Sequence, residues 1–188
     1  LGKGGGYPEM YQYLKWSWII ILLVYISILR LSFSYIAWGL VFTYFLCDDA
    51  LGLHEKIGKH IAGNLTLTPP LGLRLQDLGE LTVSAVAGMI LSLLVIWAYL
   101  HGSQAFKKMS QDILLLILAL AFFGVVVDMA HASIKVRGVS FILGVMEDGG
   151  EMLVASLIVW YVFLLSVREE NATSYLWRFV RAITRGSP

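Results

Sequence analysis

The sequence predicts an all-α integral membrane protein: a bundle of about five transmembrane helices, with four as the alternative count, followed by a basic amphipathic tail. Three observations predict it. Of 188 residues, 58% are hydrophobic and 14% charged, against roughly 45–50% and about 25% in soluble domains. The apolar residues gather in long runs, and a helix crosses the hydrocarbon core with about 20 residues at 1.5 Å each. The polar residues left within those runs recur at helical spacing. Eighteen Gly without a period, four Pro and a single Cys exclude collagen-like, disordered and disulfide-framework chains. A net charge of +1 gives no reason to invoke nucleic acid.

The start, Leu1-Gly2-Lys3-Gly4-Gly5-Gly6, lacks an initiator Met and points to a trimmed or processed end, so residues 1–8 stay outside the fold. Residues 1–13 read as a tail, 14–167 as one bundle domain and 168–188 as a second tail. The first span runs from Leu14 to Leu29, opened by Trp16 and Trp18. Arg30 and Ser32 mark a tight turn into a second span, Phe33 to Cys47, where Cys47 reads as a small buried hydrophobe. Pro69-Pro70 breaks the loop before the third span, Leu81 to Leu100. The fourth runs from Ile113 to Val127, extending to Ser133. The fifth runs from Met152 to Val167, starting earlier near Phe141, with Gly149-Gly150 as a kink at its start. In the tail, Arg168, Arg178, Arg181 and Arg185 interleave with Trp177 and Phe179, the composition of a helix lying on a membrane surface. That tail and Lys107-Lys108 place their side in the cytoplasm.

Negative charge is unevenly divided. Glu9, Asp48, Asp49, Glu55, Asp77, Glu80, Asp128, Glu147, Asp148 and Glu151 fall on the opposite, non-cytoplasmic side, ten of the thirteen carboxylates. Asp48 lies about 25 Å along its helix from the turn after Arg30, and Glu80, Asp128 and Glu151 come to a similar depth. Spacing then aims them inward. Glu80, Ser84, Gly88 and Ser92 share a stripe, as do Asp48, Gly52, Glu55 and Lys59. Ala121, Gly124, Asp128 and His131 make a third, and Gly144, Asp148, Glu151 and Ala155 a fourth. Small residues suit packed faces in membranes.

Carboxylates crowded into one layer need protons, bases or a bound cation to offset their charge. His54 and His131 add imidazole nitrogens, and Asp128 with His131 at i,i+3 can chelate a metal or form a proton relay. The expected metal set is therefore Asp48, His54, Glu55, Glu80, Asp128, His131, Asp148 and Glu151. Mixed oxygen and imidazole ligands suit iron, manganese, zinc or calcium.

The set resembles the carboxylate-bridged di-iron and di-manganese sites of four-helix bundles, in which two helices give a Glu and two give Glu-x-x-His. Asp128-x-x-His131 matches that pattern, whereas the second helix gives His54 and Glu55 side by side, about 100° apart, unless Gly52 or Gly58 unwinds it. The resemblance implies a membrane metalloenzyme.

Two other readings stand beside it: proton or ion handling, and an accessory subunit of a larger membrane complex. Lys56, Lys59, Arg74, Lys135 and Arg137 could instead neutralise a solvated acidic mouth, and helix capping could explain Asp77, Glu147 and Asp148. His60 and His101 read as exposed.

Overall fold

The computed structural model describes residues 6–63, 75–127 and 137–167. All of its regular elements are helices: α1 (Tyr7–Leu29), α2 (Ser34–Leu51), α3 (Leu53–Gly63), α4 (Leu75–His101), α5 (Gln104–Ala121) with a π-helical turn at Phe122–Val127, and α6 (Arg137–Ser166). The chain gathers into two compact units, residues 1–101 and 102–188.

In the first unit α1 and α2 form an antiparallel hairpin. Trp16, Ile19, Leu23 and Ile26 recur at three- and four-residue steps and are buried, as are Tyr35, Trp38 and Phe42 on the facing helix. Trp16 stacks on Phe42 with ring centroids 5.7 Å apart. The expected turn lies where Arg30 and Ser32 placed it. Ser32 N–H donates to Ser27 O at 3.0 Å, Ser27 Oγ donates to Ser32 O at 2.9 Å, and Leu31 takes a positive φ of 48°.

The second span does not end at Cys47. α2 continues to Leu51, stops at Gly52 in the left-handed conformation (φ 59°, ψ 49°), and restarts as α3 after a 71° bend. Glycine adopts that conformation without a Cβ penalty. α3 then lies against α4 in direct backbone contact: a Cβ at Gly79 would collide with Gly58 O, and one at Gly58 with the backbone of Glu80.

α4 is sparsely covered. Among its described residues Gly79 and Ala98 are buried, while Leu81, Met89, Ile90, Leu93, Trp97 and Leu100 are exposed.

In the second unit Ser103 caps α5, its side chain accepting from Phe106 N–H. Phe106, Met109, Ile113 and Leu116 form the buried stripe of α5, and Val154, Ala155, Ile158, Tyr161 and Val162 that of α6.

α1, α4 and α6 are long and apolar enough to cross a membrane, and a fourth span results if the bent α2–α3 pair counts as one. α1, α4 and α6 each begin earlier than their apolar runs, because polar residues extend a helix beyond the hydrocarbon core without interrupting its backbone hydrogen bonds. α1 starts at Tyr7, within the stretch left outside the fold, and α6 starts at Arg137, ahead even of Phe141. Gly149-Gly150 is consequently no helix start: α6 runs through both. Gly150 instead makes room for the ring of Phe123, with which a Cβ there would collide.

Candidate functional site

The break at Gly52 determines the site. At the start of α3 the first N–H groups need acceptors, and the N-cap position holds a glycine with no side chain to offer one. Asp48, one turn back on α2, supplies it: Oδ1 accepts from His54 N–H at 2.9 Å. Its other oxygen, Oδ2, lies 2.8 Å from His54 Nδ1. The carboxylate side chain is 16% exposed and the imidazole 34%. A carboxylate oxygen that accepts at this distance does so from the ring N–H at Nδ1, so Nε2 is the ring nitrogen outside the pairing. A carboxylate bonded to one ring nitrogen orients an imidazole that works as a ligand or base.

The surroundings of the pair are polar on one side and aromatic on the other. Asp49 faces α1, where Trp16 Nε1 donates to its Oδ2 at 2.8 Å and Tyr13 Oη donates to its backbone carbonyl at 2.9 Å. The carboxylate of Glu55 folds back toward Gly52. Tyr44, one turn before Asp48 on the same face of α2, has a buried hydroxyl. Glu80 lies beside Gly58 and accepts from Gln76 Nε2 at 2.8 Å.

The expected residues fare differently. Asp48 and His54 meet directly. Glu55 does not share a stripe with Asp48, because the bend at Gly52 turns α3 away from the axis of α2. The unwinding allowed for at Gly52 or Gly58 occurs at Gly52, while Gly58 stays helical and serves packing. On α4, Glu80 faces α3, but Ser84, Gly88 and Ser92 are exposed, so that stripe is not an inward face of this unit.

In the second unit the carboxylate of Glu151 lies against Gly124 in the π-helical turn, leaving no room for a Cβ there. Asp148 is exposed. Glu147 and Asp148 lie some ten residues inside α6, so helix capping does not account for them. Asp128 and His131 lie outside the described residues, as do Pro69-Pro70, Arg74, Lys135 and the 168–188 tail. Among the described residues, no three His, Cys, Asp or Glu side chains meet in an arrangement that could hold a metal ion. His60 and His101 are exposed as expected, and Cys47 is free and half-buried.

Sequence reasoning missed two polar contacts. Asp49 was counted only among the acids, although Trp16 lies on the face of α1 that meets α2. Asp112 is one of the three carboxylates outside that group of ten. It is 1% exposed and accepts from Tyr161 Oη at 2.6 Å. A signal was present: Asp112 falls on the stripe of Met109 and Leu116, at three- and four-residue steps.

Residues 9–167 match the family described as a domain of unknown function, DUF8692. The chain belongs to this family. The DUF8692 segment opens in the first turn of α1, ends one residue beyond α6, and contains both the Asp48–His54 pair and the Asp112–Tyr161 pair. No curated protein and no solved structure matches the chain.

Proposed function

We propose that this is an integral membrane protein that binds a cation at the Asp48–His54 pair, near the end of a broken span. The observation that carries the reading is the pair itself: an imidazole oriented by a carboxylate that also caps the restarted helix. Non-helical backbone at membrane depth occurs where it is buried in protein or lines a polar cavity, and ionisable groups there mark ion and proton sites. In this reading α5 and its π-helical turn form the fifth span. The acidic residues face the non-cytoplasmic side, with the C-terminal tail on the cytoplasmic side.

Two groups suffice to exchange a proton, and this favours proton binding over a metal among the described residues. A metal ion would take the Nε2 lone pair of His54 and require ligands beyond these, for which Asp128 and His131 are the sequence's own candidates. Membership of a larger complex is compatible with either.

The test is imidazole ¹⁵N NMR of the detergent-purified protein, followed against pH and against added Zn²⁺ or Mn²⁺. His54 resonances that titrate, with a midpoint displaced in Asp48→Asn, support the proton arm. A metal-dependent change lost in His54→Ala supports the metal arm, and Asp48→Asn then weakens binding by about 10–100-fold. A His54 that responds to neither pH nor metal sinks the reading.

A further inference from the structure

α3 leaves the break at a steep angle. α2 has 18 residues, about 27 Å at 1.5 Å each, which takes it across most of a hydrocarbon core of about 30 Å. α3 has 11 residues. Bent by 71° from α2, it advances along that helix's axis by only about 5 Å. Its depth follows independently from α4. Gly58, in the middle of α3, meets Gly79, and Gly79 lies in the first turn of the apolar span Leu78–His101. α3 thus runs across the level at which α4 enters its apolar stretch, where a helix lying in a membrane interface would be found.

The faces of α3 fit that position. Leu53, Ile57 and Ile61 recur every four residues, and Ile57 is 46% exposed. Gly58, about 100° round the helix from Ile57, is the residue held against α4, so that contact leaves Ile57 uncovered. On the other side of the stripe Lys56 and Lys59, one turn apart, are exposed. Glu55 is the acid of α3. Its carboxylate turns back toward Gly52 and, among the described residues, forms an ion pair with neither lysine. Lysines beside an apolar stripe lay their stems along it and carry the ammonium groups outward.

We propose that α3 lies in the plane of the membrane interface, its Leu53–Ile57–Ile61 stripe against acyl chains and its Lys56 and Lys59 ammonium groups on the phosphates of acidic phospholipids. The proposal rests on α2 and α4 crossing the membrane and is independent of the Asp48–His54 cation site. Charge selects the lipid: each lysine near such a surface favours acidic over zwitterionic headgroups about fivefold, less as salt rises.

Bromolipid quenching tests it on the full-length protein in vesicles of equal phosphatidylglycerol and phosphatidylcholine, with one lipid or the other brominated on its acyl chains. In a Cys47→Ala background, bimane is attached at Ile57→Cys on α3 or, as the reference, at Met89→Cys on the exposed face of α4. The Ile57 probe is quenched, and several-fold more by brominated phosphatidylglycerol than by brominated phosphatidylcholine. Lys56→Gln with Lys59→Gln abolishes that preference while quenching itself persists. An Ile57 probe untouched by either lipid, with the Met89 probe quenched, places α3 outside the interface and overturns the proposal. Equal quenching by both lipids, or a preference unchanged in the double variant, overturns it too. If the Met89 probe also escapes quenching, the membrane reading itself fails.

Discussion

Asp112 and Tyr161 hold the most demanding polar contact in the second unit. Both are buried, at 1% and 4% exposure, among Phe106, Met109, Ile113 and Ile158, and the 2.6 Å bond from phenol to carboxylate partly offsets the desolvation of the acid. Tyr161→Phe removes the donor and keeps the ring, so it costs about 1–3 kcal/mol, read by denaturant unfolding in detergent. If Tyr161→Phe is as stable as the wild type, the bond contributes nothing that other contacts do not already supply. Trp16→Phe isolates the Asp49 contact in the same way. It keeps an aromatic ring against Phe42 and loses the Nε1 donor, with an expected cost of about 1.5–3 kcal/mol for a bond to a charged group. These contacts were harder to read than the apolar stripes because a hydrogen bond joins residues 33 or 49 positions apart, and periodicity reports only which face a residue occupies.

Among the elements, glycines decide most of what the apolar runs left open. Gly52 ends α2 by adopting φ 59°, and Gly52→Ala pays about 1–2 kcal/mol for a Cβ in the left-handed region. The same substitution straightens the α2–α3 bend or strains it, so His54 NMR shifts change together with stability. Gly79 has a different role. Its Cβ position is filled by Gly58 O, and Gly79→Ala forces α3 and α4 apart at about 1–3 kcal/mol, the usual range for over-packing. Gly88→Ala on the same helix is the control, since nothing lies within 4 Å of a Cβ there; it should be neutral or stabilise by about 0.5–1 kcal/mol, as Gly to Ala does in a helix interior. Equal effects at Gly79 and Gly88 would show that the close α3–α4 contact does not exist in the membrane. A glycine in a sequence announces freedom without saying how it is used. Gly52 breaks a helix, Gly58 and Gly79 bring two together, and Gly150 receives a ring, all from the same residue type.

At the scale of the molecule, α4 makes the clearest statement about environment. A helix of 27 residues with large apolar side chains exposed along its length is disfavoured in water and suited to lipid. If it crosses the bilayer, its two ends lie on opposite faces. In a Cys47→Ala background, Gly63→Cys at the end of α3 and His101→Cys at the end of α4 should therefore label with an impermeant maleimide from opposite sides of a sealed vesicle. Labelling of both from one side would remove α4 from the spans. The all-helical class, the α1–α2 hairpin with its turn, and the apolar cores of both units were determined by the sequence itself. Apolar residues at helical spacing carry their own instruction, and each helix satisfies its backbone within a few residues. Where α2 breaks, and which carboxylate turns back to cap α3 and meet His54, were decided by the tertiary structure. Those outcomes depend on how closely two backbones can approach and on which donors are left over when a helix stops.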